Sequence, residues 1–149
     1  MKLAIGTDHA GLELKARLVK HLEQRGIEVE DLGAHEFEPE DDYPDYAQAV
    51  AETVAGGSCD RGLLVCGSGI GMSIAANRVP GARAALCLNE FMARLARQHN
   101  NANIIVVAGR VTAPEHVISI VNTWLDTEFS GDDRHVRRIN KLEHHQACR

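Results

Sequence analysis

The sequence lacks a long apolar run, a dense set of cysteines and an excess of basic residues. No apolar stretch approaches the roughly 20 residues that a membrane-spanning helix needs. Lys2 is followed by a short apolar run that ends at Gly6, so we expect no signal peptide. The four cysteines form no CxxC pair, which argues against a disulfide scaffold and favours a reducing compartment. We therefore expect a cytoplasmic protein.

The charge balance limits the class of partner. Sixteen Lys and Arg stand against 21 Asp and Glu, which gives a formal net charge of −5. An acidic chain without a basic tail argues against nucleic acid or an anionic membrane as the main partner. An anionic ligand must therefore be bound by a few local cations. With 149 residues, 44% of them hydrophobic, we expect a single domain over residues 1–149.

Short apolar runs alternate along the chain with segments of helical periodicity. The runs indicate five strands, at residues 3–5, 27–32, 62–66, 84–88 and 104–107. The second run alternates with period two, which is typical of a half-exposed edge strand, whereas the third is continuously apolar, as in a strand buried on both faces. This alternation predicts an α/β fold with a parallel sheet covered by helices on both sides. The polar residues 132–149 are predicted to form a helical tail that docks on a neighbouring surface.

Two polar clusters follow the first and third predicted strands. Ligands bind to open parallel sheets at the carboxyl ends of the strands, where the direction of winding reverses. Asp8 and His9 follow the first strand, and the segment from Cys66 to Gly71 follows the third. If the second strand lies at an edge, the first and third are neighbours. The two clusters then face each other across one crevice.

The turn Gly67-Ser68-Gly69-Ile70-Gly71 offers successive backbone N–H groups at the start of a predicted helix near residues 72–77. Such a turn is typical of an anion-binding site. The last glycine of a dinucleotide fingerprint is replaced by Met72, and the lysine of a Walker loop is missing. No acidic residue stands at Leu88 or Asn89 to bind a ribose. These absences argue against a nucleotide and favour a small oxyanion, bound or transient.

Three candidate residues each have a catalytic and a structural interpretation. Cys66 stands beside the glycine-rich turn, where the helix dipole favours a thiolate, so it fits a nucleophile or a proton-abstracting base. It fits equally the last buried residue of a strand. His99 lies on the apolar stripe of its helix near the C-terminus, where carbonyl groups stabilise an imidazolium. A hydrogen-bonded core histidine is the alternative there, as it is for His9 beside Asp8.

The candidate cations lie late in the chain. Arg134 and Arg138 are four residues apart, so on a helix they share a face and can clamp a phosphate. A solvated cationic surface is the alternative. Arg110, just after the fifth strand, is a further candidate. No cysteine pair has zinc-ligand spacing, so we predict no metal site. The other cysteines are assigned to a turn, the strand core and the tail: Cys59, Cys87 and Cys148.

Ordered motifs extend over essentially the whole chain. They are Gly6-Thr7-Asp8-His9-Ala10-Gly11, Asp42-Tyr43-Pro44, Cys66-Gly67-Ser68-Gly69-Ile70-Gly71, Ile74-Ala75-Ala76-Asn77, Pro80-Gly81-Ala82-Arg83, Arg97-Gln98-His99-Asn100-Asn101-Ala102-Asn103, Gly109-Arg110, Arg134-His135 and Arg137-Arg138. Together they resemble the ribose-5-phosphate isomerase B family, within the wider group of ribose and galactose phosphate isomerases.

This resemblance implies a cofactor-free interconversion of D-ribose 5-phosphate and D-ribulose 5-phosphate through an enediolate, in the pentose phosphate pathway. It also implies a three-layer α/β/α Rossmann-like sandwich that dimerises, with each active site drawing residues from two subunits. A tetramer is the alternative assembly. Neither nucleic acid nor membrane is an expected partner.

The resemblance also implies roles for the candidate residues. Cys66 is the base, Ser68 manages the proton between O1 and O2, and the backbone of Gly67, Gly69, Ile70 and Gly71 forms the oxyanion hole. One branch of the family has a glutamate base where this chain has Met72, so the chain resembles the cysteine branch. His99 opens the furanose ring. Asp8 and Asn100 bind sugar hydroxyls. The phosphate is bound by His9, Arg134 and Arg138, and Arg110 supports the site.

Two other functions stay open from the sequence. Within the family, the substrate can be a hexose 6-phosphate of the allose or galactose type, distinguished by the room around residues 33–43 and the phosphate arginines. Outside it, the chain can be a non-catalytic phosphosugar-binding module, because doubly wound folds serve many functions. That alternative predicts that the base or the ring-opening group is missing, whereas Cys66 and His99 are both present.

Overall fold

Five parallel strands form the centre of the computed structural model, which describes residues 1–147. The strands are β1 (Lys2–Thr7), β2 (Glu28–Asp31), β3 (Arg61–Cys66), β4 (Ala84–Leu86) and β5 (Ile104–Ala108), and their order in the sheet is β2-β1-β3-β5-β4. The helices are α1 (Leu12–Gln24), α2 (Tyr43–Ala55), α3 (Ile70–Ala76), α4 (Glu90–Asn100), α5 (Pro114–Asp126) and α6 (Asp133–Ala147), with a short 3-10 helix at His9–Gly11.

The sheet is buried on both faces, as the apolar strand sequences predict. On one face, alternate strand residues such as Leu63 and Val65 pack with apolar side chains of α1, α4 and α5. On the other face, Leu64 and Cys66 pack with side chains of α2 and α3. Side chains alternate between the two faces of a strand, so each central strand contributes to both halves of the core. The predicted three-layer α/β/α sandwich is confirmed.

The order of the strands puts the reversal of winding between β1 and β3. The chain runs from β1 outward to the edge strand β2, and then returns through α2 to β3 on the other side of β1. Thr7 and Val65 are paired in the register of these two strands. The segments that follow β1 and β3 are therefore neighbours at the carboxyl edge of the sheet, as predicted.

Several boundaries differ from the sequence prediction. Helix α3 begins at Ile70 rather than near Met72, because Gly69 takes a left-handed conformation (φ 75°) that turns the chain directly into the helix. Strand β4 ends at Leu86, two residues earlier than predicted.

The C-terminal segment forms α6, and the predicted helical tail is confirmed. It docks through the buried His135 and through an ion pair of 2.6 Å between Arg83 Nη1 and Glu143 Oε1. Cys148, assigned above to the tail, lies outside the described residues. No helix within residues 1–147 has the length and apolar character that crossing a bilayer requires.

Candidate active site

Cys66 and Asp8 meet where β3 and β1 end. The Sγ atom of Cys66 lies 3.8 Å from Oδ2 of Asp8, and both residues are buried. The other carboxylate oxygen of Asp8 accepts a hydrogen bond of 3.2 Å from the N–H of Ala10 and so caps the 3-10 helix. Thr7 fixes the strand ends, because its hydroxyl donates to the carbonyl of Val65 at 2.9 Å. The two predicted clusters therefore form one site.

The glycine-rich turn lies between Cys66 and α3. The N–H of Ile70 donates to the Ser68 hydroxyl at 3.3 Å, and Ser68 itself is exposed. The next N–H groups, of Gly71 and Met72, belong to the first helical turn, where backbone donors have no partner within the helix. A side chain at Gly69 would put its Cβ 2.5 Å from Leu86. The turn thus offers backbone donors next to Cys66, as an oxyanion site requires.

Two side chains lie directly on this turn because its glycines have no Cβ. A Cβ at Gly71 would lie within 2.5–2.7 Å of the ring and hydroxyl of Tyr43. A Cβ at Gly67 would lie 3.1 Å from Cδ of Arg110, whose N–H donates to the Gly67 carbonyl at 3.0 Å. Arg110 is thus at the predicted site. Tyr43 was not predicted as a site residue, although the Asp-Tyr-Pro motif at the start of α2 marked it.

His9 is held by a carboxylate that the sequence analysis missed. Asp41 accepts two hydrogen bonds from it, one from the backbone N–H at 2.9 Å and one from the ring Nδ1 at 2.5 Å. The edge of the Phe37 ring contacts the imidazole, with the ring centroids 5.4 Å apart. Both Asp41 and Phe37 belong to the acidic loop, residues 32–42. This loop therefore closes over the carboxyl edge of β1.

The beginning of the acidic loop is fixed by a buried lysine. Lys15 Nζ lies 2.7 and 2.9 Å from the two carboxylate oxygens of Asp31 and donates to the carbonyl of Ala34 at 2.6 Å. At the far end, Tyr46 lies near the loop, and burial together with the Asp41 carboxylate raises the pKa of its phenol. The phenol therefore stays neutral and keeps its proton at neutral pH.

A second cluster lies at the end of α4. His99, in the last helical turn, stacks on the ring of His135 from α6, with centroids 4.3 Å apart and planes inclined by 37°. The Ser130 hydroxyl lies 2.8 Å from Nδ1 of His135. Burial lowers the pKa of His135, and the nearby His99 and Arg134 add to the effect. Asn100 and the two predicted phosphate arginines of α6, Arg134 and Arg138, are exposed beside this pair.

The two clusters lie at opposite ends of the sheet. The end of α4 leads into β5 at Asn103, whose carbonyl accepts from the N–H of Gly62 at the start of β3. Cys66 stands at the other end of β3, four residues beyond Gly62, which at 3.3 Å per residue is about 13 Å away. One chain therefore brings together Cys66, Ser68, the glycine turn, Asp8, His9 and Arg110. It does not bring to them His99, Asn100, Arg134 or Arg138.

Among the side chains of residues 1–144, no three His, Cys, Asp or Glu residues are grouped in a way that would hold a metal ion. Cys59, Cys66 and Cys87 are all free thiols. Burial raises the pKa of the Cys87 thiol to about 12, so Cys87 stays protonated at neutral pH. This agrees with its assignment to the core.

The sequence is similar over most of its length to a known family of proteins. Residues 3–142 match the model of a family described as Ribose/Galactose Isomerase. The chain belongs to the ribose/galactose isomerase family. Among curated members of that family, ribose-5-phosphate isomerase B of Escherichia coli is 45% identical over 141 residues, covering 95% of this chain and 93% of the relative.

Solved structures of the ribose/galactose isomerase family agree closely with the fold. Ribose-5-phosphate isomerase B of Clostridium thermocellum superposes with a TM-score of 0.96 at 48% identity and covers 99% of both chains. The enzyme of Mycoplasma genitalium, with bound ribulose-5-phosphate, superposes with a TM-score of 0.94 at 42% identity and covers 98% of this chain and 96% of that one.

Proposed function

We propose that this chain interconverts D-ribose 5-phosphate and D-ribulose 5-phosphate through an enediolate, without a cofactor. The observation that carries the proposal is the meeting of Cys66, Asp8 and the glycine-rich turn at the winding reversal of the sheet. The relatives at 42–48% identity are ribose-5-phosphate isomerases, one of them with the ketose product bound. The chemistry of the site matches that reaction.

The proton transfer begins at Cys66. Its thiolate removes the proton from C2 of the open-chain aldose, and the electrons of that bond form the C1–C2 double bond of the enediolate. Backbone N–H groups of residues 67–71 stabilise the charge that develops on oxygen, where one lost donor typically costs about 3 kcal/mol of barrier. Ser68 moves the proton from O2 to O1. Return of the sulfur-bound proton to C1 completes the ketose.

The remaining residues prepare the substrate. His99 opens the furanose ring by moving a proton between the ring oxygen and the C1 hydroxyl. Asp8 and Asn100 bind sugar hydroxyls. The phosphate carries two negative charges against a protein of net charge −5, so it needs local cations. Those proposed are His9 and three arginines: Arg110, Arg134 and Arg138.

This assignment requires two copies of the chain, because its two groups of residues lie at opposite ends of one sheet, about 13 Å apart along β3. In a two-fold dimer, each copy offers its Cys66 cluster to the His99 cluster of the other. Exposed apolar side chains at the carboxyl edge support self-association: Ile70, Phe91, Met92 and Val111. The free cysteines fit a cytoplasmic location.

The direct test is substitution of the base. Cys66→Ala should abolish ketose formation from ribose 5-phosphate while the substrate still binds, because the sulfur takes the proton but does not hold the phosphate. Cys59→Ala, at another buried cysteine, is the matched control and should remain active. Assays with EDTA test the prediction that no metal is needed. Near-normal turnover by Cys66→Ala would refute the assignment.

A hexose 6-phosphate is the second candidate substrate, because the matching family includes galactose isomerases. A hexose is one carbon longer, so it needs additional room between the glycine turn and the phosphate cations. The acidic loop, with Phe37 against His9, restricts that room. We therefore expect a higher kcat/KM for ribose 5-phosphate than for allose or galactose 6-phosphate. The opposite order would assign the chain to the hexose branch.

A further inference from the structure

His135 is buried on a helix whose neighbouring residues are exposed. Only 2% of its surface is accessible, whereas Arg134, Val136 and Arg138 are exposed. Its ring is packed on His99 at a centroid distance of 4.3 Å. A buried histidine costs free energy unless its polar atoms are satisfied. The ring of this buried histidine thus lies directly on His99, the candidate ring-opening residue.

Ser130 links this histidine to the end of α4. Its hydroxyl lies 2.8 Å from Nδ1 of His135, and its backbone N–H donates to the carbonyl of Gln98 at 3.2 Å. Gln98 directly precedes His99. Ser130 therefore connects the first turn of α6 to the last turn of α4. The same residue thus contacts the His135 ring and the backbone directly before His99.

We propose that His135, oriented by Ser130, is a positioning residue for His99 in the ring-opening step, an inference that rests on the function proposed above. General acid–base transfer needs the donor within about 3 Å of the ring oxygen, so rotation of the His99 ring would misplace its proton. Stacking on a fixed, buried ring limits that rotation. The lowered pKa of His135 keeps its ring neutral, so it adds no repulsion when His99 takes up a proton.

Ring opening can be separated experimentally from proton transfer at carbon. Ribulose 5-phosphate has its phosphate on the hydroxyl that would close a five-membered ring, so it is an open-chain molecule. Exchange of its C1 hydrogen with solvent deuterium requires the base and the oxyanion site but no ring opening. Net conversion of ribose 5-phosphate requires all three. A defect confined to His99 therefore lowers net turnover and spares the exchange.

The experiment compares Ser130→Ala and His135→Gln with the unmodified protein. We expect net turnover of ribose 5-phosphate to fall about 10- to 100-fold, as for misplaced catalytic groups generally. Deuterium uptake at C1 of ribulose 5-phosphate should stay within about twofold, because Cys66 and its turn are not altered. Ser130→Thr, which keeps the hydroxyl, should restore turnover. His21→Gln, at a histidine in the last turn of α1, is the matched control.

Two results would overturn the proposal: unchanged turnover in Ser130→Ala, or turnover and exchange falling in parallel. Ser130 is exposed, so its alanine variant tests the proposal even if the buried His135 variant does not fold. Absence of deuterium exchange in the unmodified protein would instead refute the proposed function itself. The two failures are therefore distinguishable.

Discussion

At the scale of single residues, the site depends on two carboxylates, each of which contacts both a backbone N–H and a side chain of the site. One carboxylate oxygen of Asp8 accepts from the N–H of Ala10 in the 3-10 helix, and the other lies next to Sγ of Cys66. Asp41 binds both the backbone and the ring of His9. Each carboxylate thus orients one proposed catalytic or binding group, and each can be tested by an isosteric amide.

Asp41→Asn is expected to weaken phosphate binding. The two hydrogen bonds go to different oxygens of the carboxylate, and asparagine replaces one of these oxygens with an NH2 group, which cannot accept, so His9 loses its fixed orientation. We predict a rise in KM for ribose 5-phosphate of about 10-fold with a smaller change in kcat, since positioned charged hydrogen bonds contribute about 1.5–3 kcal/mol. Asp42→Asn, at the exposed neighbouring residue whose side chain makes no capping hydrogen bond, is the control. Equal KM values for the two variants would contradict the role of Asp41.

Gly71→Ala should reduce turnover without unfolding the protein. The added Cβ would meet the Tyr43 ring at 2.5–2.7 Å, so the ring must leave the first turn of α3. Alanine is otherwise acceptable in a helix, where it is more stable than glycine by about 0.5–1 kcal/mol. Kinetics and thermal unfolding of the variant test this. Unaltered kinetics would show that Tyr43 does not contribute to the site.

The site residues that could be predicted from the sequence lie at the ends of strands, so the order of the strands determines where they are. Cys66 ends β3 and Asp8 directly follows the neighbouring strand β1, so the rule for parallel sheets brings them together. Asp41 belongs to a loop with four other acidic residues, and no local pattern distinguishes it from them. Its contact with His9 joins residues 32 positions apart through an irregular loop. Such contacts depend on tertiary structure, so the sequence pattern could not predict them.

At the scale of elements, helix α4 connects the two ends of the sheet. Its first turn is capped by Asn89, whose side chain accepts from the N–H of Met92 at 2.9 Å. Glu90 then joins it to α5 through Ser119 at 2.6 Å and His116 at 2.9 Å. Its last turn carries His99. The position of His99 at the amino edge therefore depends on how α4 is fixed along its length.

The contact between α4 and α5 should make stability depend on pH. The hydrogen bond from Ser119, with that from His116, lowers the pKa of Glu90 to about 2 from 4.5. A lowered carboxyl pKa stabilises the folded state above pH 4.5, and this contribution is lost as pH falls from 4.5 toward 2. We predict that Glu90→Gln is less stable than the unmodified protein at pH 6. The difference should shrink steadily below pH 4.5.

Urea unfolding at several pH values measures this difference. Glu13→Gln, at an exposed carboxylate in the first turn of α1, is the control and should show no such trend. A difference between Glu90→Gln and the unmodified protein that stays constant from pH 6 to pH 3 would contradict the account.

Element types were predictable because period and burial agree along most of the chain. The alternating sequence of β2 and the continuous apolar run of β3 correctly indicated an edge and a central strand. The place of β5 between β3 and β4 was not predicted. That order depends on the packing of α3 and α4 on opposite faces of the sheet, which is a property of the assembled layers.

At the scale of the whole molecule, each chain holds two incomplete halves of the proposed site. The proton-transfer half lies at the carboxyl edge, and the ring-opening half at the amino edge. The sequence resemblance predicted a shared site, but the pattern of a single chain contains no signal for which surfaces meet. The two halves are separated by about 13 Å along β3, so one substrate needs residues from two copies of the chain.

Complementation between two inactive variants shows whether the site is shared between two copies of the chain. Cys66→Ala and His99→Ala are each expected to lose turnover of ribose 5-phosphate. After the two are unfolded together and refolded, a mixed dimer contains one site with both substitutions and one site with neither. Random pairing then predicts recovery of about a quarter of the unmodified activity. A mixture as inactive as its components would contradict a site shared between two copies.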